Sequence, residues 1–322
     1  MIEEENKDLQ APRPPPQRRE RKEPRRSTRV EVNGWVNLDK PVGITSTQAV
    51  AQLKFLFNAK KAGHAGTLDP LASGVLPIAF GEATKTVPVV QEGVKRYQFT
   101  VKWGEETDTD DAEGRVIAGS ELRPSPSDIA GILPQFVGVI QQVPPMYSAI
   151  KIAGERAYDL ARDGAEFEIA SREIEVHRLD LVATERDSAV FEAECGKGAY
   201  VRALARDIGR GLGCRGHVIL LRRTRVGPFQ VERGVGLDAL RDDAEARGGA
   251  LQSIEAGLSE LTRVPIDRNG AAILRRGQKL LLRGSAAPVE GLAYTICLGV
   301  PVAVGLVEEG FFVSSRVFNL SN

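Results

Sequence analysis

The chain predicts an α+β fold: one large mixed domain followed by a small all-β unit. Three observations carry this expectation. With 322 residues, the chain is long enough for two domains, or for one large domain with an appendage. Strand-like and helix-like segments follow one another without the regular βαβ alternation of a parallel sheet. From about Val264 the sequence turns glycine-rich, and its short apolar runs (AILRRGQKL, AYTICLG, VPVAVGLV, FFVSSRVF) read as the strands of a small barrel.

Composition narrows the class further. Hydrophobic residues make up 42% and charged residues 27%, ordinary values for a globular protein with a sizeable core. Lys and Arg total 43, as do Asp and Glu, so only local basic clusters can argue for a nucleic-acid partner. Cys195, Cys214 and Cys297 are far apart and form no CxxC, which speaks against a zinc knuckle or a disulfide framework and fits a reducing cytosol. The acidic, proline-rich N-terminus is not a signal peptide. The most apolar run, Ala293 to Val307, is shorter than the ~20 residues of a spanning helix and is broken by Gly299, Pro301 and Gly305. A cytoplasmic protein without membrane contact is expected.

Residues 1–32 form a Pro/Arg-rich tail with too few apolar residues to order itself. It is either a solubilising segment or an arm that adds non-specific RNA affinity. Order begins at Gly34, where WVNLDKP reads as a strand closed by a turn. Thr45 or Ser46 then caps the helix TQAVAQLKFLFNAKK, with Val50, Leu53 and Phe57 on one face. In KRYQFTVKWG the residues Tyr97, Phe99, Val101 and Trp103 alternate with polar partners, the pattern of a strand. GEETDTDDAEG reads as an acidic loop and SPSDIAGILPQFVG as a short helix interrupted by proline. Two strand-like runs between Ile174 and Glu194 flank the turn TERDS. CGKGAYVRALARDIGRGLG reads as a strand end, a Gly-Lys-Gly turn and a helix. Val201, Leu204, Ile208 and Leu212 make the apolar face of that helix, while Arg202 and Arg206, four apart, share another. HVILLRRTRVGPFQVERG returns to strand, and residues 235–262 read as helical and charged.

Asp69 is the only formally charged residue from Gly63 to Gly81, a stretch that reads GHAGTLDPLASGVLPIAFG. Asp-Pro suits a helix N-cap with proline in the first helical position. The other reading is a carboxylate held ionised in a mostly apolar pocket, as a nucleophile is. That reading needs a nearby cation, and the segment itself offers only His64. The span from Gly196 to Arg233 carries Lys197, Arg202, Arg206, Arg210, Arg215, Arg222, Arg223, Arg225 and Arg233, opposed within it only by Asp207 and Glu232. It is either a solvated helix face or a track for phosphates, which suit the arginine fork. Tyr97 and Tyr200 stand at the edges of these charged runs, as packing residues or as stacking platforms worth ~1–3 kcal/mol to an unstacked base. GKGAY lacks the spacing of a nucleotide-binding loop, and neither a post-strand GxGxxG nor an HExxH is present.

In combination these segments resemble the bacterial tRNA pseudouridine-55 synthases, the TruB family. GWVNLDKPVGITS is similar to the first motif of that family, and GHAGTLDPLASGVLPI with GEATK to its catalytic motif. KRY, MYSAIK, GERAYDLAR, KGAYVRALARDIG and GCRGHVILLRRTRVGPF follow in order, so the resemblance runs from Gly34 to about Leu240. It implies a pseudouridine-synthase-type mixed, largely antiparallel sheet flanked by helices over residues 33–262, and a PUA-like RNA-binding barrel over 263–322. It implies isomerisation of uridine 55 in the T loop of tRNA, without cofactor or metal. Asp69 falls on the catalytic aspartate of the family, and Arg202 on the arginine that pairs with it. An opposite charge within ~4–6 Å lowers a carboxylate pKa by about 1–3 units. Tyr97 falls on the tyrosine that stacks on the flipped uracil, Tyr200 and Leu221 on residues lining the uridine pocket, and His64 on the histidine beside the flipped nucleotide. Such contacts offset the few kcal/mol that flipping costs. A monomer with no obligatory protein partner is the default expectation. A guide-RNA-dependent relative and a non-catalytic RNA-binding or RNA-folding protein stand as alternatives.

Overall fold

The computed structural model describes residues 29–148, 150–152, 155–162, 167–284 and 288–320. Residues 1–28 of the expected tail lie outside the described residues. Order begins earlier than Gly34, because the backbone of Val30 bonds to Asn58 and Lys60 and bridges Ala59.

The large sheet is built from β1 (Gly34–Lys40), β2 (Ala62–His64), β3 (Ser73–Phe80), β4 (Lys95–Trp103), β5 (Gly138–Gln142), β6 (Arg172–Thr184), β7 (Ser188–Cys195), β8 (Gly216–Val226), β9 (Phe229–Gln230) and β10 (Val235–Gly236). Its ten strands follow the order β10-β1-β3-β8-β4-β7-β6-β5, with β2 added on β3 and β9 on β8. Every pairing is antiparallel except β1–β10 and β3–β8. In β4 the residues Lys95, Phe99, Val101 and Trp103 turn inward, as period-two patterning predicts. Helix α1 (Ser46–Leu56) starts at a capping box in which Thr45 and Gln48 satisfy each other's backbone N–H. Helix α2 (Val201–Gly211) packs Val201, Leu204 and Ile208 into the core formed by Leu38, Leu76, Phe99, Trp103 and Phe191.

The parallel joint between β3 and β8 depends on Gly74. It stands opposite Arg223 with φ +105°, and a Cβ there would lie 2.1 Å from the Arg223 carbonyl oxygen. The helical expectation for residues 235–262 resolves into two short helices, Leu237–Asp242 and Ala244–Ala250, and a 3₁₀ turn, Ile254–Leu258. Asp243 divides the helices because its carboxylate caps the second one, accepting from Glu245 N and Ala246 N.

A second sheet follows, made of β11 (Thr262–Pro265), β12 (Leu280–Leu281), β13 (Gly291–Cys297), β14 (Val300–Glu308) and β15 (Phe311–Val317), in the order β11-β13-β14-β15-β12. The edge strands β11 and β12 line one cavity, so the sheet curls without closing. Of the strand expected at AILRRGQKL, the first four residues instead end helix α3 (Arg268–Arg275), capped by Asp267 with Ala271 and Leu274 buried three apart, and only Leu280 lies in a strand. Tyr294, Val304 and Phe318 of the second sheet and its tail share a core with Trp35, Val75, Phe229 and Leu258. Lys85 Nζ donates to Val317 O at 2.8 Å across the same contact. No helix among the described residues is long and apolar enough to cross a membrane.

Candidate active site

Asp69 caps no helix. Its carbonyl accepts from Ala72 N at 3.1 Å, closing a turn, and the chain then enters β3. The loop Gly66–Ala72 is held by polar anchors on both sides. Ser46 Oγ, buried at the start of α1, donates to Leu68 O and accepts from Leu68 N, both at 2.9 Å. Gly43 N donates to Pro70 O at 2.8 Å. Arg223 of β8 donates from Nη2 to Gly66 O at 3.1 Å, from Nη1 to Thr67 O at 3.0 Å, and from Nε to Val75 O at 2.8 Å. A buried guanidinium that spends its donors on carbonyls fixes the backbone leading to Asp69.

The cation that Asp69 needs arrives from α2. Arg202 Nε lies 2.9 Å from Asp69 Oδ2, with the arginine side chain 7% exposed and the aspartate 32% exposed. The other Arg202 nitrogens are also engaged: Nη1 with Asp111 Oδ2 at 3.1 Å and with Thr109 O at 2.9 Å, and Nη2 with Tyr147 O at 3.0 Å. Asp111, which sequence reasoning left inside an acidic loop, is thus the second carboxylate of the site. Its loop is a hairpin of Glu105–Thr107 on Val116–Gly119, folded over α2.

The same hairpin corrects the reading of the basic span as a phosphate track. Arg206 pairs with Asp110 and Asp207, Arg210 and Arg215 converge on buried Glu106, and Arg222 pairs with Asp39. Arg225 pairs with Glu260 and Lys197 with Glu92. Apart from Asp207, the carboxylates that neutralise the span are distant in sequence, so its local charge count overstated its free charge.

Tyr97 stands directly across from Arg223 in the β4–β8 register. Burial pushes its hydroxyl above the ordinary value, with Arg223 opposing. Burial also lowers the Arg223 guanidinium. Beneath the site, buried Lys40 donates to Pro41 O and Ile44 O, and desolvation brings it down to about 8 against the attraction of Asp69. Tyr200 is the N-cap residue of α2. Its backbone is gripped by the Gln142 side chain, and its hydroxyl is raised by burial, with Ser148 opposing. His64 ends β2, with Nδ1 buried and unpartnered, and its pKa is lowered by burial and by Arg223. Leu221 is buried opposite Phe99 in the core cluster against which Tyr97 packs. The structure thus joins Asp69 to Arg202 directly and sets Tyr97 and Tyr200 within electrostatic reach of Asp69. Ser46, Asp111 and Arg223 are the residues sequence reasoning missed. Arg223 is one of three arginines in β8, so nothing local marked it above its neighbours, and nothing local marked the other two.

Residues 54–201 match the TruB family pseudouridylate synthase N-terminal domain, and residues 202–263 match the tRNA pseudouridylate synthase B C-terminal domain. The chain is 59% identical over 305 residues to tRNA pseudouridine synthase B of Bradyrhizobium diazoefficiens, covering 92% of this chain and 88% of that protein. The protein of the same name from Rhodopseudomonas palustris is 57% identical over 307 residues, covering 92% and 84%. Among solved structures, one chain of a Cbf5–Nop10–Gar1 complex aligns with a TM-score of 0.67 at 26% identity, over 89% of this chain and 84% of that one. A chain of an H/ACA ribonucleoprotein bound to a substrate RNA containing 2′-deoxyuridine aligns at 0.69 and 25%, over 89% and 85%. With the matched domains running without a break from residue 54 to 263, and relatives aligned over nine-tenths of its length, the chain belongs to the TruB family of pseudouridylate synthases.

Proposed function

We propose that this chain converts uridine 55 in the T loop of tRNA to pseudouridine, with Asp69 as the nucleophile acting on a uridine flipped out of its stack. One observation carries the reading. In the network of Asp69, Arg202 and Asp111, only the Asp69 carboxylate reaches solvent, at 32% exposure against 7% and 3%. A reachable carboxylate on an anchored loop, oriented by a guanidinium in contact, suits attack on a bound base or sugar.

The reaction is an isomerisation. The N1–C1′ bond breaks, the uracil turns, and a C5–C1′ bond forms. N1 gains a proton and C5 loses one, so nothing is oxidised or reduced. The Tyr97 hydroxyl, raised by burial, is protonated at neutral pH, and its ring can stack on the displaced base while the hydroxyl handles a proton. Tyr200 and Leu221 would line the uridine pocket, and neutral His64 would fill the space the base leaves. A loop uridine is a favourable target because its unstacking costs least. In this reading residues 33–262 act as the catalytic unit and 263–322 as a PUA-like RNA-binding unit. The protein works as a cytoplasmic monomer without an obligatory partner or cofactor. The 59% relative, named as acting on tRNA, supports this over a guide-RNA-dependent role, which the Cbf5 neighbours would suggest.

The test is incubation of the purified protein alone with a T-arm stem-loop transcript, followed by pseudouridine mapping. Pseudouridine at position 55 is expected. Asp69→Asn should abolish it and leave RNA binding intact, and folded Arg202→Met should lose most turnover. Activity that requires an added guide RNA or protein, or that survives in Asp69→Asn, refutes the proposal.

A further inference from the structure

Arg202, Arg206 and Arg210 form a stripe on α2 at four-residue intervals. The hairpin meets it in reverse order: Asp111 on Arg202 at 3.1 Å, Asp110 on Arg206 at 2.9 Å, and Glu106 on Arg210 at 2.5 Å. We propose that the Arg206–Asp110 pair is a positioning device for the reaction, clamping the hairpin on α2 so that Asp111 holds Arg202 at the angle that aims Asp69. This rests on the reading of Asp69 given above.

Neither residue touches Asp69, yet both are buried and nearly saturated. Arg206 uses Nε on Asp207 at 2.8 Å, Nη1 on Asp110 at 2.9 Å and Nη2 on Val143 O at 2.7 Å. A buried ion pair is weak evidence for stability, since an apolar replacement is often neutral or better, so its retention calls for a geometric role. The backbone supports that role. Asp110 has φ +61°, a left-handed conformation that aspartate tolerates better than most residues and that recurs at functional sites. Side chains of consecutive residues in an extended strand point to opposite faces. The left-handed residue breaks that rule and lets Asp110 and Asp111 both reach α2, on arginines one helical turn apart. Val218 N, bonded to Asp110 O at 3.1 Å, fixes the turn to β8. Thr109 Oγ1 and Glu113 N hold Asp111 Oδ1 at 2.6 and 3.0 Å, which leaves Oδ2 for Arg202.

The clamp carries its own pH signature. Burial pushes Asp110 up to about 6, opposed by Arg206, Arg202 and Arg210 and reinforced by Asp207, all on α2. On its own hairpin Asp110 adjoins the carboxylates of Asp111 and Glu106, which are held by Arg202 and by Arg210 with Arg215. Below about 6 Asp110 gains a proton and the ion pair becomes a hydrogen bond between a neutral carboxyl and the charged Arg206 guanidinium.

Asp110→Asn mimics that state and suits the left-handed backbone. It is tested on the T-arm stem-loop by single-turnover rate, RNA Kd and thermal unfolding between about pH 5.5 and 7.5, a range spanning the titration. At the upper end the rate should fall about 10- to 100-fold, the scale of a small misplacement at a reacting centre, with Kd within about twofold. The wild type should lose rate as pH falls through the titration, and the variant should show no such limb. Arg206→Lys keeps the charge without the fork and should lose rate similarly, so it decides the matter if the Asn variant does not fold. A folded variant with the wild-type rate and pH profile, a rate loss matched by lost RNA affinity, or failure of both variants to fold overturns the proposal. Wild-type protein that makes no pseudouridine, or Asp69→Asn that does, would instead overturn the parent reading.

Discussion

Ser46→Ala removes one hydroxyl that satisfies two backbone groups. Ser46 Oγ bonds both N and O of Leu68 at 2.9 Å, and Ser46 and Leu68 are both buried. A buried donor or acceptor left without a partner costs about 1–3 kcal/mol, so two such groups set an expected loss of about 2–6 kcal/mol if the site stays dry. The loop can escape part of that loss only by shifting to find water, and a shift of Leu68 moves Asp69, the next residue. A displacement of about 1 Å at a reacting group costs up to 100-fold in rate. The variant should therefore unfold at a lower temperature and show a single-turnover rate down about 10- to 100-fold, with little change in RNA Kd. Measured together by thermal unfolding, rapid quench and filter binding, unchanged stability and rate would refute the idea that this hydroxyl holds the loop.

Two further outcomes are expected. Desolvation brings Lys95, in β4 beside Tyr97, to about 8 from an ordinary 10.5. Between these values the unfolded chain binds a proton that the native chain does not, so stability rises with pH by up to about 1.4 kcal/mol per unit for this group. In Lys95→Met denaturant titrations across that window should show a shallower rise, and an unchanged slope would refute the assignment. Gly74→Ala would place a Cβ 2.1 Å from the Arg223 carbonyl at a left-handed φ, so the β3–β8 joint must open. Circular dichroism should show loss of cooperative folding, or destabilisation above about 4 kcal/mol, whereas a native melting profile would refute the close packing.

Much of the fold was legible because local patterning reports local structure. The alternation in KRYQFTVKWG, the Thr45 cap and the helix after Gly-Lys-Gly all stand where the sequence placed them. AILRRGQKL misled because a short apolar run does not distinguish a strand from a one-face helix, and Asp267 capping Gly270 N decided for helix. Asp69 attracted notice as a lone charge in an apolar stretch, but its isolation fitted an N-cap as well as a reactive group. What separated these was the entry of the chain into β3.

Residue types and their order already determined the alternation of the strands, the faces of α2, and an Asp69 that lacked any local partner except His64. Which charges meet was decided by the tertiary structure alone. Arg202 lies 133 positions from Asp69 and 91 from Asp111, and Arg223 is 156 from the Thr67 carbonyl it holds. Coulomb and hydrogen-bond energies depend on distances of a few ångströms, and separation along a chain says nothing about them until the sheet order and the hairpin fold set those distances. A span that reads as free positive charge is for that reason largely neutralised, and Asp111, plain in an acidic loop, stands one contact from the candidate nucleophile.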